Sequence, residues 1–132
     1  MNVGLDTSVL LRLLIGTPPG QAQSAVQFLD ELAHSGAKAC VSDLVVAETY
    51  FALQFHYGIS KDDALAGLAA LLSTGEIIAT GQAGHVLAQP GLATAKPGFV
   101  DRLIHAEYSE SECKMATFEK AAGKLHEVIV LK

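Results

Sequence analysis

Three carboxylates stand among apolar neighbours in separate parts of the chain. They are Asp6, Glu48 and Asp101. A buried charge without a partner costs several kcal/mol or is forced to become neutral. The pattern therefore predicts that the three side chains meet in space, and a divalent cation is the simplest partner that would keep all of them ionised.

Each carboxylate also has an ordinary structural explanation. Asp6 stands where an Asp N-cap is favoured, and Asp101 falls in the first turn of a predicted helix, where the helix dipole favours an acid. Glu48 lies too far into its helix to cap it, but a solvent-exposed stripe would accommodate it. The structural explanations and the metal site both stay open at this point.

The bulk composition predicts a single domain spanning residues 1–132. Only 17% of the residues are charged, against about 25% in typical soluble domains, which indicates that a partner or a second copy covers part of the surface. The net charge of −5 argues against a broad basic face for nucleic acid. It does not exclude a nuclease, because a bound metal reverses the local sign of charge.

Targeting signals and other catalytic motifs are not found. No apolar run approaches the roughly 18 residues that span a bilayer, and the N-terminal residues do not form a secretory signal. Cys40 and Cys113 form no CxxC pair. The chain has no GxGxxG, P-loop or HExxH motif, and its histidines are scattered. These features predict a reduced, cytoplasmic protein with no membrane segment.

Apolar periodicity and turn residues predict strands that alternate with helices. The predicted strands cover 3–5, 37–41, 76–79, 114–117 and 128–131, and the predicted helices cover 7–15, 21–35, 43–56, 61–72, 97–108 and 118–124, with 80–97 unassigned. This order predicts an α/β fold, a three-layer α/β/α sandwich around a mainly parallel central sheet. Ligands gather at the carboxyl ends of such strands, so Asp6 and Glu119 could face one crevice.

Four segments, spread over essentially the whole chain, carry a family resemblance. They are Leu5–Arg12, Val41–Glu48, Gly98–Ile104, and Ala116–Lys120 followed by Val128–Leu131. In this order they match an opening Asp-Thr-Asn/Ser motif, a helix with a central Glu, a helix with a third acid, and a closing Thr-Phe-Asp-Lys element with a last strand. The chain thus resembles PIN domains, and more narrowly the VapC ribonuclease toxins of bacterial toxin–antitoxin pairs.

The resemblance implies metal-dependent hydrolysis of RNA phosphodiester bonds. Asp6, Glu48 and Asp101 would hold Mg²⁺ or Mn²⁺, and Glu119 would close the site. The family usually has Asp at the position of Glu119. The extra methylene puts the geometry of that ligand in doubt, because Mg²⁺ demands a near-ideal octahedron.

Supporting roles follow from the same resemblance. Ser8 would hydrogen-bond a ligand carboxylate, and Thr117 would orient a water molecule or is an ordinary threonine at a strand end. Arg12 and Arg102 would contact phosphates or are surface ion-pair residues.

The expected partners are RNA, a small cognate antitoxin that places a basic side chain in the acidic pocket, and a second copy of the chain in a homodimer. The apolar helices at 21–35 and 61–72 are the candidate surfaces for the protein partners.

Two other functions stay open. A catalytically weak PIN-like binding module is suggested by Glu119 and by the shortage of basic surface. An Mg²⁺-dependent phosphoacceptor or nucleotide-binding α/β domain would use strand-end aspartates together with a lysine, for which Lys120 is a loose candidate.

Overall fold

A computed structural model describes all residues, 1–132, of the chain. The strands are β1 (Val3–Gly4), β2 (Ala39–Val41), β3 (Ile77–Ala79), β4 (Met115–Thr117) and β5 (Val128–Val130). The helices are α1 (Thr7–Ile15), α2 (Pro19–His34), α3 (Asp43–Phe55), α4 (Lys61–Ser73), α5 (Ala83–Leu87) and α6 (Phe99–Glu110). Two 3₁₀ helices occupy Leu92–Thr94 and Lys120–Lys124.

The strands form two small parallel sheets. One contains β1, β2 and β3 with β2 in the centre, and the other pairs β4 with β5. Parallel neighbours need long crossovers, which α1 and α2 supply between β1 and β2, and α3 and α4 supply between β2 and β3. The prediction of an α/β fold with parallel strands is confirmed. The strands are divided between two sheets, however, and the three-layer sandwich stays a prediction.

Three predicted helix starts are confirmed by their capping hydrogen bonds. The side chains of Asp6, Ser42 and Ser60 are the N-caps of α1, α3 and α4. An N-cap oxygen satisfies a backbone donor that has no partner within the helix. The donors are the backbone N–H groups of Val9, Val45 and Asp63.

Other boundaries differ from the prediction. Helix α2 begins at Pro19, two residues before the predicted start, because proline is accommodated where the first helical N–H groups have no intrahelical partner. The segment that was left unassigned contains α5 and the first 3₁₀ helix. The predicted helix at 118–124 is the shorter 3₁₀ helix Lys120–Lys124.

One core joins the helices to the first sheet. Leu10, Val46, Leu68 and Phe99 are almost completely buried in it. The apolar stripe of α4 therefore packs inward, so that helix is not the partner surface that the sequence analysis predicted, while α2 exposes some of its apolar side chains. No helix combines the length and the apolar character that crossing a membrane requires.

Asp43 is the one charged residue that is buried. Its Oδ2 accepts a hydrogen bond of 2.9 Å from the backbone N–H of Gln82, and its Oδ1 accepts one of 2.8 Å from that of Ala83. Asp43 thus caps α5 from the first residue of α3. A Cβ atom at Gly81 would lie only 2.7 Å from Asp43 Cγ, so this position has no room for a side chain.

Glu107 brings α6 to the same carboxylate. Its hydrogen bond with Asp43 raises the pKa of Glu107, and partial burial and the charge of Asp43 act in the same direction. Two carboxyl groups can share a hydrogen bond only when one of them is protonated. The folded chain therefore holds this proton more tightly than the unfolded chain, which stabilises the fold below the ordinary pKa of 4.5. The contribution is lost as the pH rises through the raised pKa.

We expect Glu107→Gln to stabilise the protein at pH 7. The amide donates to Asp43 without a like charge, and the gain in unfolding free energy should be roughly 0.5 to 1 kcal/mol, the scale of exposed charge interactions. At pH 4 the gain should be close to zero, because Glu107 is then largely protonated. Urea unfolding at both pH values measures the difference.

Glu110→Gln, three residues further along α6, is the matched control and should show no pH-dependent gain. Equal gains in both variants, or a loss of stability in Glu107→Gln at pH 7, would contradict the role of the Asp43–Glu107 pair.

Candidate functional site

Asp6 lies between the end of β1 and the start of α1, where its extended backbone ends the strand and its side chain caps the helix. Its Oδ1 accepts hydrogen bonds of 2.6 Å from Ser8 Oγ and 3.2 Å from the Val9 N–H. These bonds hold the pKa of Asp6 below its ordinary value, and the bond from Ser8 contributes most. Asp6 is thus an exposed, oriented carboxylate that stays ionised at neutral pH.

Glu48 is bonded to Thr7, the residue that follows Asp6. The Thr7 hydroxyl donates a hydrogen bond to Glu48 Oε1, which joins the first residue of α1 to the middle of α3. The structure therefore ties Glu48 to the sequence neighbour of Asp6, although the two acids are far apart in sequence. Thr7 was not among the predicted site residues, although it stands inside the Asp-Thr-Ser motif. Its place in that motif could have identified Thr7 from the sequence alone.

Asp101 lies on a neighbouring helix. The ring of Phe99, two residues before it, packs edge-on against Tyr50, two residues after Glu48, with ring centroids 5.1 Å apart. Two residues correspond to a rotation of about 200° around a helix. The aromatic contact therefore holds α3 and α6 together from the inside, while Glu48 and Asp101 lie on exposed positions.

Glu119 stands apart from the other three acids. It follows β4, which belongs to the second sheet, and it caps the 3₁₀ helix after it by accepting a 3.2 Å hydrogen bond from the Ala121 N–H. Thr117 Oγ1 accepts a 3.0 Å hydrogen bond from the backbone N–H of Glu119. The two predicted residues thus form a local turn, and no hydrogen bond joins them to Asp6 or Glu48.

The two candidate arginines bond to neutral groups. Arg12 Nε donates to Gln21 Oε1 at 2.6 Å, and Arg102 Nε donates to the backbone carbonyl of Pro97 at 2.7 Å. Both ion pairs in the structure use Glu127 as the acid, with Lys114 and His126 as its partners. The surface ion-pair role considered for Arg12 and Arg102 is therefore not found.

The burial of the three acids was predicted wrongly. Asp6, Glu48 and Asp101 are all exposed. The helical period of 3.6 residues places Glu48 and Asp101 on the outer side of their helices, and Asp6 precedes its helix as the N-cap. The cost of burying a charge therefore does not require a shared cation, and no contact joins Asp101 to the other two acids.

The donor chemistry fits a hard divalent cation, which prefers carboxylate oxygens. No group of three or more His, Cys, Asp or Glu side chains is arranged to hold a metal ion. Asp6 and Glu48 form the nucleus of a possible site, with Asp101 on the adjacent helix. A complete site would require Asp101 and Glu119 to come closer to that pair.

No protein-family model matches the chain, and no curated protein matches it. The resemblance to PIN domains therefore rests on the four sequence segments and their order.

We expect Ser8→Ala to raise the pKa of Asp6, because it removes the hydrogen bond that contributes most to lowering it. A lowered folded-state pKa stabilises the protein above the ordinary value of 3.8, and that stabilisation is lost as the pH falls through the folded-state pKa. The variant should therefore lose stability at a higher pH than the parent. Carbon-13 NMR titration of the carboxyl group measures the pKa directly.

Ser24→Ala is the control, because its hydroxyl bonds the Gly20 carbonyl and no carboxylate. An Asp6 pKa that stays the same in Ser8→Ala would show that the Ser8 hydroxyl does not tune this group.

Proposed function

We propose that the chain is a PIN-like, metal-dependent ribonuclease that resembles the VapC toxins of toxin–antitoxin pairs. The observation that carries the proposal is the hydrogen bond from Thr7 to Glu48. It ties Glu48 to the residue that follows Asp6, which supports the pairing of the first two acids that the resemblance implies. The parallel α/β architecture supports the proposal, and a three-layer sandwich would follow if the two sheets lie in one layer.

Asp6 and Glu48 would hold Mg²⁺ or Mn²⁺ together with Asp101. A divalent cation supplies positive charge next to the scissile phosphate and a water molecule of lowered pKa. Ser8 holds Asp6 Oδ1 in place, and Thr7 does the same for Glu48 Oε1. Both hydroxyls therefore restrict the orientation of a carboxylate, as outer hydrogen bonds do in metal sites.

Arg12 is the stronger of the two candidates for contact with phosphate. It lies one helical turn after Ser8 and is half-buried, and its guanidinium has no carboxylate partner. Arg102 is also half-buried, one residue after Asp101.

Glu119 would close the site if its carboxylate exchanged the Ala121 N–H for the metal. Thr117 would then position the Glu119 backbone.

Cleavage assays test the enzyme directly. With Mn²⁺ present, the purified chain should cut a structured RNA that contains single-stranded loops, and added EDTA should stop it. Asp6→Asn and Glu48→Gln should each lower the rate roughly 100-fold or more, the effect of removing one group that stabilises transition-state charge. Asp62→Asn, an exposed acid at the start of α4, is the matched control.

Equal background cleavage by the parent and both variants would contradict the nuclease and favour the binding module. A stable aspartyl phosphate formed from acetyl phosphate would favour the phosphoacceptor domain instead.

We also propose that a small antitoxin covers one face of α3. Leu44 and Phe55 are each 78% exposed, and Phe51 is 44% exposed and stacks on Phe55. Spacings of three and four residues place these side chains in one stripe with Glu48. A partner that covers the stripe would therefore also cover Glu48, as an inhibitor of the proposed site would.

A homodimer is a further proposal, for which the exposed Val26 on α2 is available.

Purification of the tagged chain from its native host tests the antitoxin. We expect a small co-encoded protein to accompany the chain and to inhibit cleavage, and we expect Phe55→Ser to lose it. Tyr108→Ser, which changes an exposed aromatic residue on α6, should retain it. Recovery of the chain alone would contradict the antitoxin, and a monomer in sedimentation equilibrium would contradict the homodimer.

A further inference from the structure

A cleft of about 290 Å³ lies between α1 and α2. Ser8 and Arg12 line it from α1, and Gln21, Ser24 and Phe28 line it from α2. The volume is close to the lower limit of about 300 Å³ for small-molecule sites, which suits one nucleotide better than a folded segment. The cleft opens beside Asp6, because the Ser8 hydroxyl that lines it is bonded to that carboxylate.

Arg12 gives the cleft a positive charge that has no ion-pair partner. Its Nε is bonded to Gln21 Oε1, and its terminal nitrogens have no carboxylate within ion-pair distance. The bond to Gln21 fixes the guanidinium plane at the cleft, while the remaining N–H groups stay available. A guanidinium presents its donors in a fork that matches phosphate oxygens. The geometry therefore suits a bound phosphate group.

Phe28 supplies a ring at the same cleft. It lies on α2 one helical turn after Ser24, and it is 37% exposed, so part of its ring is accessible. Every nucleobase has a face that can stack on an aromatic ring. An aromatic surface and an unpaired guanidinium in one cleft match the two parts of a nucleotide.

We propose that the α1–α2 cleft binds one nucleotide of single-stranded RNA, with its phosphate on Arg12 and its base on Phe28. The inference rests on the proposed ribonuclease, for which the cleft would position RNA beside Asp6.

Binding measured without metal separates this subsite from catalysis. Fluorescence anisotropy in EDTA, with a 5′-labelled hexanucleotide of uridine, gives the affinity while metal-dependent cleavage is absent. Phe28→Ala and Arg12→Met should each weaken its binding roughly five-fold or more, the effect of losing one stacking or charged contact.

Two exposed residues outside the cleft supply controls. Tyr57→Ala matches the loss of the aromatic ring, and Lys61→Met matches the loss of the charge; neither should change the affinity. Phe28→Tyr keeps the ring and should keep the binding, which guards against a fold defect in Phe28→Ala.

Equal affinities for the parent, Phe28→Ala and Arg12→Met would overturn the subsite, even if Mn²⁺-dependent cleavage is found. Loss of a co-purifying protein in Phe28→Ala, with RNA affinity unchanged, would overturn it as well and assign the cleft to that protein. The expected binding pattern without any cleavage in Mn²⁺ would support the subsite and contradict the proposed nuclease.

Discussion

The buried carboxylate of Asp43 is the interaction on which the arrangement of the outer helices depends. It begins α3, accepts the N–H groups of Gln82 and Ala83 at the start of α5, and raises the pKa of Glu107 on α6. A buried charge is tolerated when its oxygens are hydrogen-bonded in this way. Since α3 carries Glu48 and α6 carries Asp101, the relation between these two helices involves both the ring contact of Phe99 with Tyr50 and an acid that takes no part in the proposed chemistry.

Local structure could be predicted well from the sequence, because its causes are local. The caps at Asp6, Ser42 and Ser60 depend on residues within one helical turn, and Gly36 ends α2 with a positive φ of 77°. The alternation of strands and helices could be predicted for the same reason. The division of the strands into two sheets could not, since it depends on which distant segments pair.

The candidate site was predicted less completely. The order of the four motifs selected Asp6 and Glu48, but the bond from Thr7 to Glu48 and the packing of Phe99 on Tyr50 are contacts between distant elements. The solvent exposure of the acids was missed because sequence neighbours were considered without the helical period. Asp43 is adjacent in sequence to a correctly predicted cap, yet its main contacts lie about forty residues further along the chain.

The accessible surface of the chain is larger than its mass predicts. The chain exposes 7785 Å², whereas a compact monomer of this mass is expected to expose about 6,600 Å². Part of the excess is apolar, including the α3 stripe and the outer residues Phe118 and Ile129 of the second sheet region. The low charged fraction and the large accessible area therefore support the proposal of a protein partner.

The absence of a side chain at Gly81 has a consequence for how this chain can vary. A methyl group at Gly81 would overlap the carboxylate of Asp43. Keeping Asp43 in place therefore requires glycine at position 81. Replacing the glycine would displace the Asp43 carboxylate, and the N–H groups of Gln82 and Ala83 would lose their hydrogen-bond acceptor. The residue type at position 81 is therefore restricted by sterics, although glycine carries no functional group.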